Sequence, residues 1–481
     1  MRRTLVPQGV LVVMAWALAV ASVTIPGTAG AVSQNGPTTV HIGTNKGASL
    51  PRGFLGIALE ASALSTASPQ TLAALPSALS GPLSALGPGT LRIGGTSSDY
   101  TTLFRDPAQS SNPPSWATAG QITVQDLSTL GSIVSQTSPS WTLDLGVNLL
   151  HPNPKLVAAE VKAAKAAVGP HLGHIEIGNE PEFYDFQPPF QHLSFADYLA
   201  RWLSLRSAIT TAVHGAQFDA ADLYDPYWLA DSGSAVQSGG YGPLAQYTYH
   251  FYPFSDCTKR PVAISTMLAG ASFSKEVTQV NQVRAAIGGP ALPLSFDEFN
   301  SVSCGSYTPG EHEFASALWG LRAMLVAAHS GVAALDVQTN FDNCSSYTPL
   351  CWTQPGATTL NEQPLYFAMA LLGSLEGARF LPVHTSGAPL ADSVGLFAVI
   401  APGASARPQL IAVNGSGSSV TLHVTDPQAQ SVESINTLSD SNGVKSSTGV
   451  SLSGPMPCPS CSMAALVIPE YSAEAIALKP S

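Results

Sequence analysis

Between residues 54 and 340, short apolar and β-branched runs alternate with longer stretches whose apolar residues recur every three or four positions. The short runs, 54–60, 90–95, 141–149, 174–179, 218–224, 247–252, 294–300 and 332–340, read as strands. Stretches such as 154–168, 195–213 and 313–329 have the period of helices that lie with one face on a sheet. Eight strands separated by helices over about 290 residues predict an α/β fold, a (β/α)8 TIM barrel whose ligand site lies at the C-terminal strand ends. A doubly wound sheet fits less well. No G-x-G-x-x-G turn follows the first strand, and Gly94-Gly95 lacks the remaining spacing.

Past residue 378 the helical period disappears. Short alternating runs at 394–400, 409–413, 420–424 and 464–468, separated by Gly, Ser and Pro, predict a β-sandwich over 379–481. The run 38–42, within the segment 32–50, is positioned to add a strand to that sheet, leaving 51–378 for the barrel.

Composition narrows the class. Charged residues are only 11% and hydrophobic residues 45% of the 481, which excludes a disordered acidic chain. A net charge of −11 offers no footprint for nucleic acid, so no nucleic-acid partner is expected. Arg2 and Arg3, an apolar stretch over 11–21 and Ala29-Gly30-Ala31 have the order of a signal peptide spanning 1–31. Its apolar core is shorter than the ~20 residues that span a bilayer, so a secreted, extracellular protein without a membrane partner is expected once it is removed. A monomer is expected. Secretion permits disulfides, and the even set Cys257, Cys304, Cys344, Cys351, Cys458 and Cys461 leaves every connectivity open. One arrangement closes two short loops, Cys344 with Cys351 and Cys458 with Cys461, and leaves Cys257 with Cys304. The Cys458-Pro-Ser-Cys461 spacing lacks a second ligand pair, which makes a staple the better reading than zinc or redox chemistry.

Two of the expected strands end in carboxylates. The fourth reads His174-Ile175-Glu176-Ile177-Gly178-Asn179-Glu180-Pro181 and the seventh Leu294-Ser295-Phe296-Asp297-Glu298-Phe299-Asn300. Strands four and seven face each other across a barrel mouth, so Glu180 and Glu298 are placed to converge on one bound group. Cleaving a glycosidic bond with retention needs two carboxyl groups about 5 to 5.5 Å apart, one to protonate the leaving oxygen and one to attack the anomeric carbon. Either glutamate alone would read as a cap or a surface ion pair; the pair on matching strands points to catalysis. Arg92 lies in a buried strand, where an unpaired guanidinium is costly, and is expected to find an acidic partner near the site. No H-E-x-x-H, EF-hand loop or histidine cluster is present in the sequence, so neither a metal nor a cofactor is expected.

Asn179-Glu180-Pro181 with a glutamate ending strand seven resembles the large clan of retaining glycosidases that use those two strands. Leu91-Arg92-Ile93-Gly94-Gly95-Thr96, Tyr249-His250-Phe251-Tyr252 and Asp297-Glu298-Phe299-Asn300-Ser301-Val302-Ser303-Cys304-Gly305 are more narrowly similar to glycoside hydrolase family 79, which holds β-glucuronidases and heparanases. The resemblance implies a retaining exo-β-glucuronidase acting on a carbohydrate, with Glu180 as general acid/base and Glu298 as nucleophile. It also implies that Asn179 binds the sugar 2-hydroxyl and that Glu60 faces the distal hydroxyls. His250 and Tyr252, on one side of strand six, would serve the nucleophile or the substrate. Thr96 would touch the ring or simply complete the turn after Gly94-Gly95. Donors for a uronate would come from the backbone of Ser303 to Gly305, although Ser303-Cys304-Gly305 stands where some relatives have a tyrosine-containing segment, with Tyr307 slightly later. The same apparatus would also suit an arabinofuranosidase, a xylosidase or an endo-acting, heparanase-like enzyme. A non-catalytic carbohydrate-binding protein is the alternative outside enzymes.

Overall fold

The computed structural model describes residues 37–104, 114–138, 141–186, 193–305, 307–354, 357–403 and 406–480. The expected signal peptide lies outside the described residues. The eight expected strands form as Leu55–Glu60, Thr90–Gly94, Thr142–Val147, Leu172–Ile177, Gln217–Leu223, Gln246–Phe251, Leu294–Phe299 and Ala334–Thr339. Each pairs in parallel with the next, and the eighth returns to the first, Leu335 opposite Leu55, closing the barrel. One face of the sheet lines the interior and helices cover the other, so the seventh strand is buried at every residue.

Several strands stop short of the runs read from the sequence, because polar groups end them. The third stops at Val147, since the N–H groups of Leu149 and Leu150 turn to the Asp99 carboxylate at 2.9 and 3.1 Å. The fourth stops at Ile177; Gly178 follows at φ 92° and Glu180 at φ 45°, so Asn179 and Glu180 stand on a tight turn above the strand.

The outer helices begin where side chains accept their unpaired N–H groups. Thr123 with Asp126 and Ser194 with Asp197 form capping boxes at Val124–Gln136 and Phe195–Ala212. Phe314–His329 has almost no exposed face, because it lies between the barrel and the C-terminal sheets. Backbone carbonyls of Ser446 and Val444 accept its first N–H groups, from Phe314 and Ala315. Among the described residues no helix is long and apolar enough to cross a membrane.

Two packed sheets form the sandwich. Thr38–Ile42 joins the smaller one, antiparallel to Val383–Gly387 and parallel to Val420–Thr425. Val394–Ile400 and Pro408–Asn414 belong to the larger sheet, whose longest member, Ala429–Asp440, pairs with Ser472–Pro480. Val40, Ile42, Leu410, Leu422 and Ile476 fill the space between the sheets. Val399, Ile411 and Ala473 turn the other way and merge with the barrel core. Disulfides join Cys257 to Cys304, Cys344 to Cys351 and Cys458 to Cys461.

Candidate active site

The site is organised around Arg92, which the second strand places fully buried inside the barrel. A guanidinium there must find an acceptor for nearly every N–H. Its Nε donates to Glu176 Oε2 at 2.8 Å, Nη1 to Glu298 Oε2 at 2.9 Å and Nη2 to Asn179 Oδ1 at 3.1 Å. Burial works against its charge, but Glu176, Asp297 and Glu298 outweigh that and raise its pKa. The double glycine after this strand makes the room. Gly95 has φ +70°, and a Cβ there would lie 2.3 Å from Glu60 Oε1.

Glu298 ends the seventh strand with both carboxylate oxygens held: Oε2 by Arg92, and Oε1 by the Tyr252 hydroxyl at 2.8 Å. Burial and Glu298 itself push the Tyr252 phenol well above its ordinary range, so it stays a donor. Across the mouth, Glu180 Oε1 is 3.0 Å from His250 Nδ1, and its backbone N–H donates to the Asp222 carbonyl at 2.9 Å. An oxygen of Glu180 and one of Glu298 lie within 4.8 Å of each other. That spacing matches the close carboxyl pair of double displacement and falls short of the ~6.5 Å or more that leaves room for a water in single displacement. Glu180 is the more exposed of the two.

His250 is fully buried between Glu180, Asp297 at 3.7 Å and Glu298 at 3.9 Å. Burial would lower its pKa, but Glu298 and Asp297 raise it well above the usual value. Thus His250 and Tyr252, two residues apart, serve one glutamate each. Glu60 ends the first strand and accepts from Ser97 N–H at 2.8 Å and Gln338 Nε2 at 3.3 Å. Burial and Glu298 raise its pKa.

Thr96 is exposed and, with Asp99, Tyr100, Asn179, Glu180, Phe183 and Tyr184, lines a cavity of about 50 Å³. Asp99 supports the turn from below: it accepts the Tyr184 hydroxyl, which in turn accepts the Asn179 N–H at 3.1 Å. Burial pushes Asp99 up to about 6 against those bonds. Ser303 lies in a two-residue ladder with Phe254–Ser255, and its hydroxyl is turned to the Phe254 carbonyl at 3.4 Å and to Tyr224. Gly305 lies against the ring of Tyr347, so close that a Cβ would fall 1.9 Å from it. The Cys257–Cys304 disulfide ties this loop to the one after strand six.

Sequence reasoning missed several groups. It gave Arg92 one acidic partner, where the structure gives it direct bonds to Glu298, Glu176 and Asn179. It also passed over Asp222, Asp297 and Tyr347, the last a half-buried ring 6.3 Å from Tyr252 and electrostatically coupled to Glu298 and Glu60. Asp297 was visible as an acid beside Glu298; Tyr347 carried no signal beyond its place in an aromatic loop between two cysteines.

Three clusters have the geometry to chelate a cation: Glu180, His250 and Glu298; Glu176, Asp222 and Asp297; Asp144, His174 and Asp219. In each, a basic side chain of the chain itself already lies against the carboxylates. A larger cavity, about 1000 Å³ between barrel and sandwich near Ile264, Glu313, Lys445 and Tyr471, holds none of the groups above. Convergence of side chains, not cavity size, marks the site.

No protein-family model matches the chain, and no curated protein matches it in sequence. Solved structures do match in fold. A 4-O-α-L-rhamnosyl-β-D-glucuronidase from Fusarium oxysporum superimposes over 92% of this chain and 100% of its own, with TM-score 0.70 and 17% identity. The shared feature is the fold. A family 51 α-L-arabinofuranosidase from Bifidobacterium longum covers 92% and 99% at TM-score 0.64 and 15% identity. A bifunctional glucanase-xylanase from a metagenome library covers 93% and 100% at TM-score 0.61 and 12% identity. Each neighbour combines its glycosidase description with this barrel-plus-sandwich architecture.

Proposed function

We propose that the chain is a secreted retaining glycoside hydrolase, and more narrowly an exo-acting β-glucuronidase of family 79. The observation that carries the reading is the pair Glu180 and Glu298, with oxygens within 4.8 Å at the ends of strands four and seven. Glu298, held by Arg92 and Tyr252, attacks the anomeric carbon while Glu180 gives its proton to the departing oxygen. Glu180 then takes a proton from water, which releases the sugar from Glu298. Asn179 gives Oδ1 to Arg92, which leaves its amide N–H groups for the 2-hydroxyl. Glu60 faces the distal hydroxyls, and the Ser303 to Gly305 backbone with Tyr347 forms the end that meets the 6-carboxylate.

The glucuronidase neighbour supports the uronate, as does the resemblance around Glu298. A neutral pentoside is the second reading. It is favoured by the arabinofuranosidase neighbour and by the Ser303 to Gly305 segment, whose own side chains bring no cation to face a carboxylate. Nitrophenyl β-glucuronide, β-xyloside and α-arabinofuranoside assayed side by side decide between them. Turnover of the glucuronide with a 2-fluoro adduct mapped to Glu298 is expected. Turnover of a pentoside alone removes the uronate, and an adduct on another residue removes the mechanism.

A further inference from the structure

Beneath Glu180 and Glu298 lies a second set of carboxylates that this reaction does not use. Glu176 belongs to strand four, Asp222 to strand five and Asp297 to strand seven, each at most 1% exposed. One oxygen of each lies within 4.8 Å of the other two. Arg92 faces them from strand two, Thr248 and His250 from strand six and Asp336 from strand eight. Asp144 and Asp219 lie below, and the phenols of Tyr184, Tyr198 and Tyr241 are electrostatically coupled to Asp222.

Two cations serve this volume, and they are unevenly shared. Asp297 is within ion-pair distance of both, 3.8 Å from Arg92 and 3.7 Å from His250. Glu176 is bonded to Arg92. Asp222 meets neither; its Oδ1 accepts the Thr248 hydroxyl at 2.5 Å, while its Oδ2 and both Asp297 oxygens find no donor among the described residues. Carboxylates buried this close do not both stay ionised, and the proton goes to the one without a cation.

We propose that Asp222 is a positioning residue working as a neutral carboxylic acid, its Oδ2–H donating to Asp297, which then holds His250 against Glu180. The backbone closes the circuit, because the Asp222 carbonyl accepts the Glu180 N–H, with both residues at positive φ, 56° and 45°. Burial, then Asp297 and Glu176, raise Asp222 well above the carboxylate range. Burial would raise Asp297 as well, but His250 and Arg92 bring it down to about 2.

The role rests on the glycosidase reading, and the test separates the two. Asp222→Ala is expected to lower kcat by about tenfold or more with KM within about twofold, and to move the alkaline limb of kcat/KM upward, since the charge of Asp297, behind His250, is then unshared. Asp222→Asn, which keeps a donor on the same atom, is expected to restore both. An Asn variant as impaired as the Ala variant, or an Ala variant like wild type, overturns the proposal. Infrared spectroscopy decides without turnover: a carboxylic-acid C=O stretch present at pH 7 and absent from Asp222→Asn supports it, and no such difference overturns it. If wild type cleaves no glycoside, the reaction reading fails, while the infrared result still places the proton.

Discussion

The barrel carries a buried charge network at each end, and the two are built differently. At the N-terminal end His174 stands between Asp144 at 3.0 Å and Asp219 at 3.3 Å; Gln246 donates to Asp219 at 2.8 Å and accepts from Ser295 at 2.6 Å. One cation there is shared by two carboxylates, with amide and hydroxyl bonds around it. At the C-terminal end Arg92 and His250 serve Glu176, Glu180, Asp297 and Glu298 but not Asp222; among the described residues four oxygens of Glu176, Asp222 and Asp297 find no donor, against one of Asp219 at the floor, and Glu180 and Asp222 have positive φ. Polar residues inside a barrel are therefore no sign of a site by themselves. The sign is an excess of carboxylates, under strain and beneath an opening, which costs stability and is kept only where it serves something else.

The comparison predicts that substitutions at the mouth damage turnover and those at the floor damage folding. The largest effect belongs to Glu298→Gln, expected to lower kcat by roughly 10⁴-fold or more with the thermal midpoint little changed. Glu180→Gln should cost roughly 10² to 10⁴, least on substrates whose leaving group needs no proton. Full turnover by either variant would make the mouth no different from the floor.

Arg92→Lys comes next. Lysine keeps the charge but not the fork that reaches Glu176, Glu298 and Asn179 together, so kcat should fall by about 10²-fold, with the fold retained. Tyr252→Phe removes a single bond to a charged group and should cost about tenfold in kcat/KM, measured on the substrate that wild type prefers. A larger loss for Tyr252→Phe than for Arg92→Lys would mean that the phenol, not the guanidinium, holds Glu298.

The fold was legible because its signal is periodic. Eight apolar runs with helices between them locate all eight barrel strands, and Val394–Ile400 reads to the residue. Ala429–Asp440 did not, since it is half-exposed along most of its length and alternates weakly. That Glu180 and Glu298 converge was legible because strand number fixes who faces whom across a barrel. The network beneath them was not, because whether Asp222 or Asp297 meets Arg92 depends on how far each strand is shifted against its neighbour. Those shifts fall at Ala220/Leu223 and Ser295/Glu298, where the ladders slip. His174 shows the converse. It was read only as the start of strand four, and it is the centre of the floor network.

His174→Ala gives the smallest effect on turnover and sharpens the contrast most. It removes the cation from two buried aspartates, which should cost about 2 kcal/mol in urea denaturation, below the range for a fully buried pair because the imidazole is partly exposed; kcat should stay within about twofold. The sign of the pH dependence follows from the histidine. Burial would lower its pKa, but Asp144 and Asp219 raise it to about 11, above the ~6.5 of an unfolded chain. A group bound more tightly to its proton when folded stabilises fully below its unfolded pKa and loses that contribution as pH climbs toward the folded one. The stability gap between wild type and His174→Ala should therefore be widest at pH 6 and narrower at pH 9. A gap that widens with pH would mean that the floor holds a neutral histidine, and that the two ends of the barrel are charged by the same rule after all.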